Sequence, residues 1–223
     1  MNKLRYEIKF LCSTINYDSL INWIKNSPDL LTIKYPSRRI NNIYFDNDQN
    51  ECLFDNFSGV SQREKIRYRW YGLDSFPTIG QLEIKHKRNN LGYKTSYNIK
   101  NNIYNQSSTW PEIISSLKKQ IPFEARFFLD KYYKPNLVNR YFREYYEGFN
   151  GNLRLTIDSM QDFFYQQHIL KPNFLTRAKL KHFLIIELKF DKNNKQYASN
   201  FLENFPFRRS RYSKYVDGML HSV

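Results

Sequence analysis

At 223 residues, with 41% hydrophobic and 17% aromatic content, the chain can build its own core and suits one large domain or two small ones. Its 35 Lys and Arg against 21 Asp and Glu leave a formal charge of +14, which repels itself in a compact state and favours an anionic partner such as nucleic acid, a phosphate compound or acidic lipid. Only Cys12 and Cys52 occur, with neither CxxC nor His spacing around them, so a disulfide framework and a zinc site are disfavoured and a reducing, cytoplasmic setting fits.

The opening "MNKLRYEIKFLC" meets polar residues before an apolar signal region could form, and no run approaches the roughly 18 apolar residues a bilayer needs. The expectation is a chain without a signal peptide or transmembrane segment. Gly (7) and Pro (8) are sparse, and no linker, low-complexity tract or repeat interrupts residues 1–223, which are therefore read as a single domain.

In chain order, period-2 alternation predicts a strand over 4–11, and Leu20, Ile21, Trp23 and Ile24 form the apolar stripe of a helix over 17–26. Strands follow at 40–46, 63–71, 80–88 and 93–99. A helix over 110–120 begins after Ser108 and Thr109 with Pro111 in its first turn, where the missing N–H costs nothing, and another spans 123–133. Strands at 139–147, 153–158 and 184–190, a helix over 195–204 and a short terminal helix in "SKYVDGML" complete the chain. Many strands with interspersed helices and no βαβ rhythm predict an antiparallel α+β fold.

The polar phase of these strands carries the information. It holds Arg5, Glu7 and Lys9 in the first; Arg63, Lys65, Arg67 and Arg69 in "REKIRYRW"; Glu83, Lys85 and Lys87 in the next; Arg154, Thr156 and Asp158, then Glu187 and Lys189, in the last two. A solvated sheet face accounts for any one strand taken singly. Alternate residues stand only about 7 Å apart, however, so four cations in one row repel one another unless carboxylates or a ligand face them. A sheet curled into a barrel, charged face inward and apolar face outward under helices, makes a cationic tunnel suited to a phosphate chain.

The segments "RYEIKF" (5–10), "NNIYFDN" (41–47), "REKIRYRWYG" (63–72), "LEIKHK" (82–87), "NRYFREYY" (139–146), "RLTID" (154–158), "IIELKF" (185–190) and "SKYVDG" (213–218), in this order and spacing, resemble the VTC domain. That is the polyphosphate polymerase domain of the vacuolar transporter chaperone type, within the triphosphate tunnel metalloenzymes. The resemblance implies an eight-stranded antiparallel barrel whose tunnel binds ATP and polyphosphate or triphosphate with Mn²⁺ or Mg²⁺, and a polymerase that moves the γ-phosphoryl group of ATP onto a growing chain. By position it implies Lys9, Arg67, Arg69, Lys85, Lys94, Arg140, Arg154 and Lys214 as phosphate ligands. Glu187 is the implied metal ligand with Glu83 and Glu7 as helpers, and Lys9, Arg67, Arg69 and Glu187 form the implied catalytic set.

The first strand departs from the Glu-x-Glu-x-Lys pattern of the tunnel hydrolases, since Arg5 takes the place of the first Glu. That fits the polymerase branch better than a hydrolase. The alternatives are an inorganic or nucleoside triphosphatase and a non-catalytic polyphosphate-binding module. No specific nucleic acid is expected as partner, and a membrane-protein partner stays open. Glu187 has a second reading as the partner of Lys189 or of an Arg across the barrel, and Asp158 as a residue orienting an arginine. Arg143, out of phase with Arg140, reads as an outward-facing charge. His86, His168, His182 and His221 share no ligand spacing and read as solvated, and "RRSRYSK" (208–214) reads as an entrance funnel for polyanions.

Overall fold

The computed structural model describes residues 5–27, 29–89, 91–148, 151–177 and 182–220. His221 and the first residue of the predicted strand 4–11 lie outside them. Eight antiparallel strands close into a barrel: β1 (Arg5–Ser13), β2 (Thr32–Asp46), β3 (Gln62–Tyr71), β4 (Gly80–Arg88), β5 (Leu91–Ile99), β6 (Lys134–Glu147), β7 (Leu153–Tyr165) and β8 (Phe183–Asp191). Around the ring they run β1-β5-β4-β3-β2-β6-β7-β8. The helices are α1 (Tyr17–Lys25), α2 (Glu51–Phe57), α3 (Trp110–Lys119), α4 (Phe123–Lys131), α5 (Lys195–Glu203) and α6 (Lys214–Leu220). No helix among the described residues is long and apolar enough to cross a membrane.

The apolar phase of the strands faces outward and is buried under helices in two patches. Ile66, Tyr68 and Trp70 of β3, with Leu82 and Ile84 of β4, are fully buried in one cluster with Trp110, Ile113 and Leu117 of α3 and Ala125 and Leu129 of α4. On the far side Leu153, Leu155, Ile157, Ile186 and Leu188 meet Leu20 and Ile24 of α1 and Ala198 and Phe201 of α5. Each such Leu or Ile contributes about 1.5–3 kcal/mol on burial, so this outer packing, rather than the polar interior, supplies the stability of the barrel.

Irregularities set the phase of the interior. Pro36 lies in the first half of β2, where the register with β6 shifts twice; Pro135 of β6 pairs at a further shift beside Tyr44 and Phe45. On β7 the register slips between the pairs Arg140–Asp162 and Phe142–Ser159, so that one extra residue enters around Met160, whose φ is +49°. The bulge keeps Asp158 on the inner face of one half of the strand and Gln161 and Phe163 on the inner face of the other.

One end of the barrel is closed by α6. Tyr215 stacks on Tyr44 at 5.2 Å and donates its hydroxyl to Asp46 Oδ2 at 2.6 Å. A Cβ on Gly218 would collide with Leu137 and Phe163, so the helix lies against the strands as closely as a backbone permits. Asp46 also accepts the backbone N–H groups of Cys52 and Leu53, which fastens the first turn of α2 to the same end. The connection into α6 crosses the edge of β1, where Arg209 bridges to Phe10 and the Ser210 N–H donates to the Lys9 carbonyl. Beyond that crossing, the described ladder between β1 and β5 has the one rung Arg5–Gly92.

Candidate functional site in the barrel interior

The predicted inner phase of β3 and β4 comes from their register, which sets Arg67 opposite Glu83 and Lys65 opposite Lys85. Gly80 permits it: a Cβ there would lie 2.1 Å from the Arg69 carbonyl oxygen. Glu83, 1% exposed, receives a fork from Arg67 (Nε 2.7 Å, Nη2 2.6 Å), with Lys94 of β5 at 2.5 Å and Arg69 at 3.7 Å. Burial alone would raise this carboxyl, but Arg67, Arg69 and Lys94 outweigh it and hold it well below the usual carboxylate range. Arg69 is held further by Asn42 Oδ1 at 2.9 Å and the Tyr141 hydroxyl at 3.3 Å.

A second group gathers on β6, β7 and β8. Arg143 grips Asp158 through Nε (2.5 Å) and Nη2 (2.6 Å), and its Nη2 also reaches Glu187 at 3.0 Å. Lys214, brought in by α6 and 6% exposed, pairs with Asp158 and with Glu187 Oε1 at 3.3 Å. Lys189 donates to Glu187 at 2.8 Å. Burial pushes the Glu187 carboxyl up, yet Lys189, Lys214, Arg143 and Lys9 together drive it well below its ordinary value. Tyr141 joins the two groups: its hydroxyl accepts from Arg69 while Lys214 lies 4.7 Å and Arg143 5.3 Å from its ring centroid.

Between them, Lys9 Nζ sits 3.4 Å from Glu7 and 3.7 Å from Glu187, and Lys85 meets Glu7 at 2.9 Å. Lys65 is different. Its ammonium donates to the Ser213 hydroxyl at 2.8 Å and makes no ion pair among the described residues. Burial first, then Lys9, Lys85 and Arg63, depress its pKa well below that of a free lysine. At about 7 Å and an effective dielectric of about 20, each like-charged neighbour costs roughly 2 kcal/mol. The interior therefore holds cationic charge that its own carboxylates do not neutralise.

The sequence-predicted residues Lys9, Arg67, Arg69, Lys85, Lys94, Lys214, Glu7, Glu83 and Glu187 are thus brought into one lumen. Arg140 is not: its side chain is on the outer wall, stacked 4.5 Å from the Phe164 ring centroid and donating to the Ser75 carbonyl at 2.5 Å. The reason is the pleat, because Asn139, Tyr141 and Arg143 share the inner phase of β6 and Arg140 falls between Val138 and Phe142 on the other. The expectation for Arg143 is corrected in the same stroke, since it is an interior residue. Arg154 keeps the predicted phase but stands at the rim, its side chain 56% exposed and paired with Glu147 at 3.0 Å. Val138 and Phe142, two apolar residues flanking Arg140 at period 2, are the signal that separates the two arginines.

No three His, Cys, Asp or Glu side chains among the described residues converge to hold a metal ion unaided. The donor chemistry nevertheless fits a divalent ion arriving with phosphate oxygens, which commonly needs only one or two protein carboxylates. Glu187 and Glu7 flank one shared cation position, now filled by Lys9 Nζ, whereas Glu83 is committed to the Arg67 fork.

The model of the VTC domain matches residues 4–223 of the chain. No curated protein matches it in sequence. Among solved structures, a proposed adenylyl cyclase from Hippeastrum, described as having a dominant triphosphatase activity, is 14% identical with a TM-score of 0.56, over 99% of this chain and 97% of that one. A proposed adenylate cyclase from Vibrio parahaemolyticus is 12% identical with a TM-score of 0.51, over 94% of this chain and 95% of that one. Both share the fold.

Proposed function

The chain belongs to the VTC domain family, and on that premise we propose that it is a metal-dependent polyphosphate polymerase, transferring the γ-phosphoryl group of ATP to a polyphosphate end inside the barrel. The observation that carries this reading is the lumen itself: a row of cations, with Lys65 lacking a carboxylate partner among the described residues, lined up where a linear polyanion would lie. A triphosphate carries about four negative charges. Arg67, Arg69 and Arg143 offer planar forks for its oxygens, while Lys9, Lys65, Lys85 and Lys214 supply point charge.

In this reading the resident carboxylates are placeholders. Asp158 holds Arg143 in bidentate geometry and Glu83 gathers the Nε and Nη2 of Arg67 on its one oxygen Oε2 before substrate arrives, which lowers the reorganisation needed when phosphate oxygens take over. Glu187 and Glu7 would hold Mg²⁺ or Mn²⁺ beside the phosphates, the ion neutralising charge on the transferred group. Phosphoryl transfer asks little covalent chemistry of the protein, so aligning donor and acceptor along the barrel axis is the main contribution of the fold. A cytoplasmic location goes with ATP as donor.

Purified protein supplied with ATP and Mn²⁺ should form long phosphate chains on a gel, and Arg69→Ala and Glu187→Ala should each abolish them. Release of free phosphate without chain growth would instead make the protein a triphosphatase, the activity named for the Hippeastrum neighbour. Binding of tripolyphosphate without turnover, across metals and primers, would make it a polyanion-binding module.

A further inference from the structure

The outer wall carries an unexplained cluster of arginines. Arg39 of β2 and Arg177, in the segment after β7, approach opposite oxygens of one carboxylate, Asp162, at 3.8 and 3.3 Å. Arg140 is the backbone partner of Asp162 across the β6–β7 ladder, yet makes no ion pair with it among the described residues. Two guanidiniums therefore share this carboxylate, and the third lies beside them without an ion pair to it among the described residues.

Arg140 is only 4% exposed, and its Nε is buried with no hydrogen-bond partner among the described residues. Its pKa is lowered to about 10, first by burial and then by Arg39, against a partial offset from Asp162. On its other side Arg140 pairs in register with Asn41, whose Oδ1 is likewise buried and without a partner among the described residues. Native structures seldom leave buried donors and acceptors unpaired, and seldom crowd like charges without a counterion. The rings of Phe164 and Phe174, 4.5 and 5.4 Å from the guanidinium carbon, fix its plane, and the Ser75 carbonyl accepts from Nη2, which leaves Nε without an acceptor among the described residues.

We propose that Arg39, Arg140 and Arg177 form a phosphate-binding site on the outer wall of the barrel, separate from the tunnel. A phosphate group supplies the acceptors that Asp162 cannot, and in its monoprotonated form it carries one O–H for a carbonyl acceptor such as Asn41 Oδ1. Arg39 and Arg177, with 21% and 56% of their side chains exposed, make the approach from solvent. Free phosphate and the terminal group of a polyphosphate chain share this chemistry.

Calorimetric titration of the full chain at low salt, without ATP or metal, tests the site independently of the polymerase reading. The Arg67→Ala/Arg69→Ala variant should keep a binding event for inorganic phosphate or tripolyphosphate, weakened about ten-fold or more when Arg177→Ala or Arg39→Ala is added. A response to both ligands identifies free phosphate as sufficient; a response to tripolyphosphate alone identifies a chain end. Loss of all binding in the tunnel variant with its fold intact by circular dichroism, or indifference to both Arg39 and Arg177, overturns the proposal. If the tunnel variant does not fold, the unmodified tunnel background serves: Arg177→Ala should remove one of two tripolyphosphate binding events, and an unchanged stoichiometry overturns the proposal.

Discussion

Arg143 and Asp158 face each other across the β6–β7 ladder and form a two-point fork in the barrel interior, Nε to Oδ1 at 2.5 Å and Nη2 to Oδ2 at 2.6 Å. Asp158, fully buried, is also the partner of Lys214, so one carboxylate holds a strand cation and a helix cation together. Asp158→Asn removes the anion the two cations share and leaves both, still buried, to Glu187 alone among the described carboxylates. Thermal or denaturant unfolding should show a loss of about 3–5 kcal/mol, the usual effect of removing one partner of a buried pair. Added tripolyphosphate should restore part of it, because phosphate oxygens replace the missing carboxylate.

Lys65 gives the opposite sign. Its pKa is depressed in the folded state, so the protonated lysine destabilises the ligand-free protein at every pH below the folded pKa, and the penalty fades as pH rises towards the unfolded value of about 10.4. Lys65→Met should therefore raise the Tm of the free protein at pH 7 while shrinking the Tm increase produced by tripolyphosphate. A lower Tm in the free variant would contradict the assignment of Lys65 as an unbalanced interior cation.

Acid should act through the carboxylates. Glu7, Glu83, Asp158 and Glu187 all have folded pKa values lowered by their cations. Their contribution to stability is complete above the unfolded values near 4 and is lost as pH falls through the folded ones. Tm measured from pH 7 down to pH 2 should hold level and then drop below about pH 4. Glu83→Gln should lower the plateau and make the drop shallower.

Gly218→Ala tests the closed end. The added methyl meets Leu137 and Phe163, and such overpacking costs about 1–3 kcal/mol. Because α6 also carries Lys214, limited proteolysis should cut near 208–214 faster in the variant, and tripolyphosphate affinity should fall with it. Unchanged proteolysis would mean that α6 tolerates the displacement.

How much of this was legible in the sequence depended on how regular each strand is. The strand predicted over 63–71 is observed over Gln62–Tyr71, and the one over 80–88 coincides, because alternation there is unbroken. The first half of β2 was missed because Pro36 and its register shifts disrupt the period, and the second half of β7 because the bulge at Met160 inverts it. α2 has no apolar period to announce it and depends on Asp46, a residue outside the helix, for its first turn. On regular strands phase placed Lys9, Arg67, Arg69, Lys85, Glu83 and Glu187 on one polar face, and the resemblance to the VTC domain singled them out from it. Arg140 was assigned by position along the chain, and the pleat assigns Arg143 instead. Ser213, the partner of Lys65, arrives from more than a hundred residues away, which no local pattern encodes.

The bridge between Phe10 and Arg209 makes the two ends of the chain neighbours in one wall. Strands β1 and β8, nine rungs long in their ladder, likewise join segments almost the whole chain apart. Ring closure is therefore the most non-local event in the molecule. Loop-closure entropy must be met before those contacts form; it grows slowly with loop length, and a fold rich in such distant contacts folds more slowly than one built from local contacts. During synthesis the edge of β1 has to wait, unpaired, until the last strand and the crossing at 209–210 have been made, and in that interval it is the part of the nascent chain most open to pairing with a neighbour.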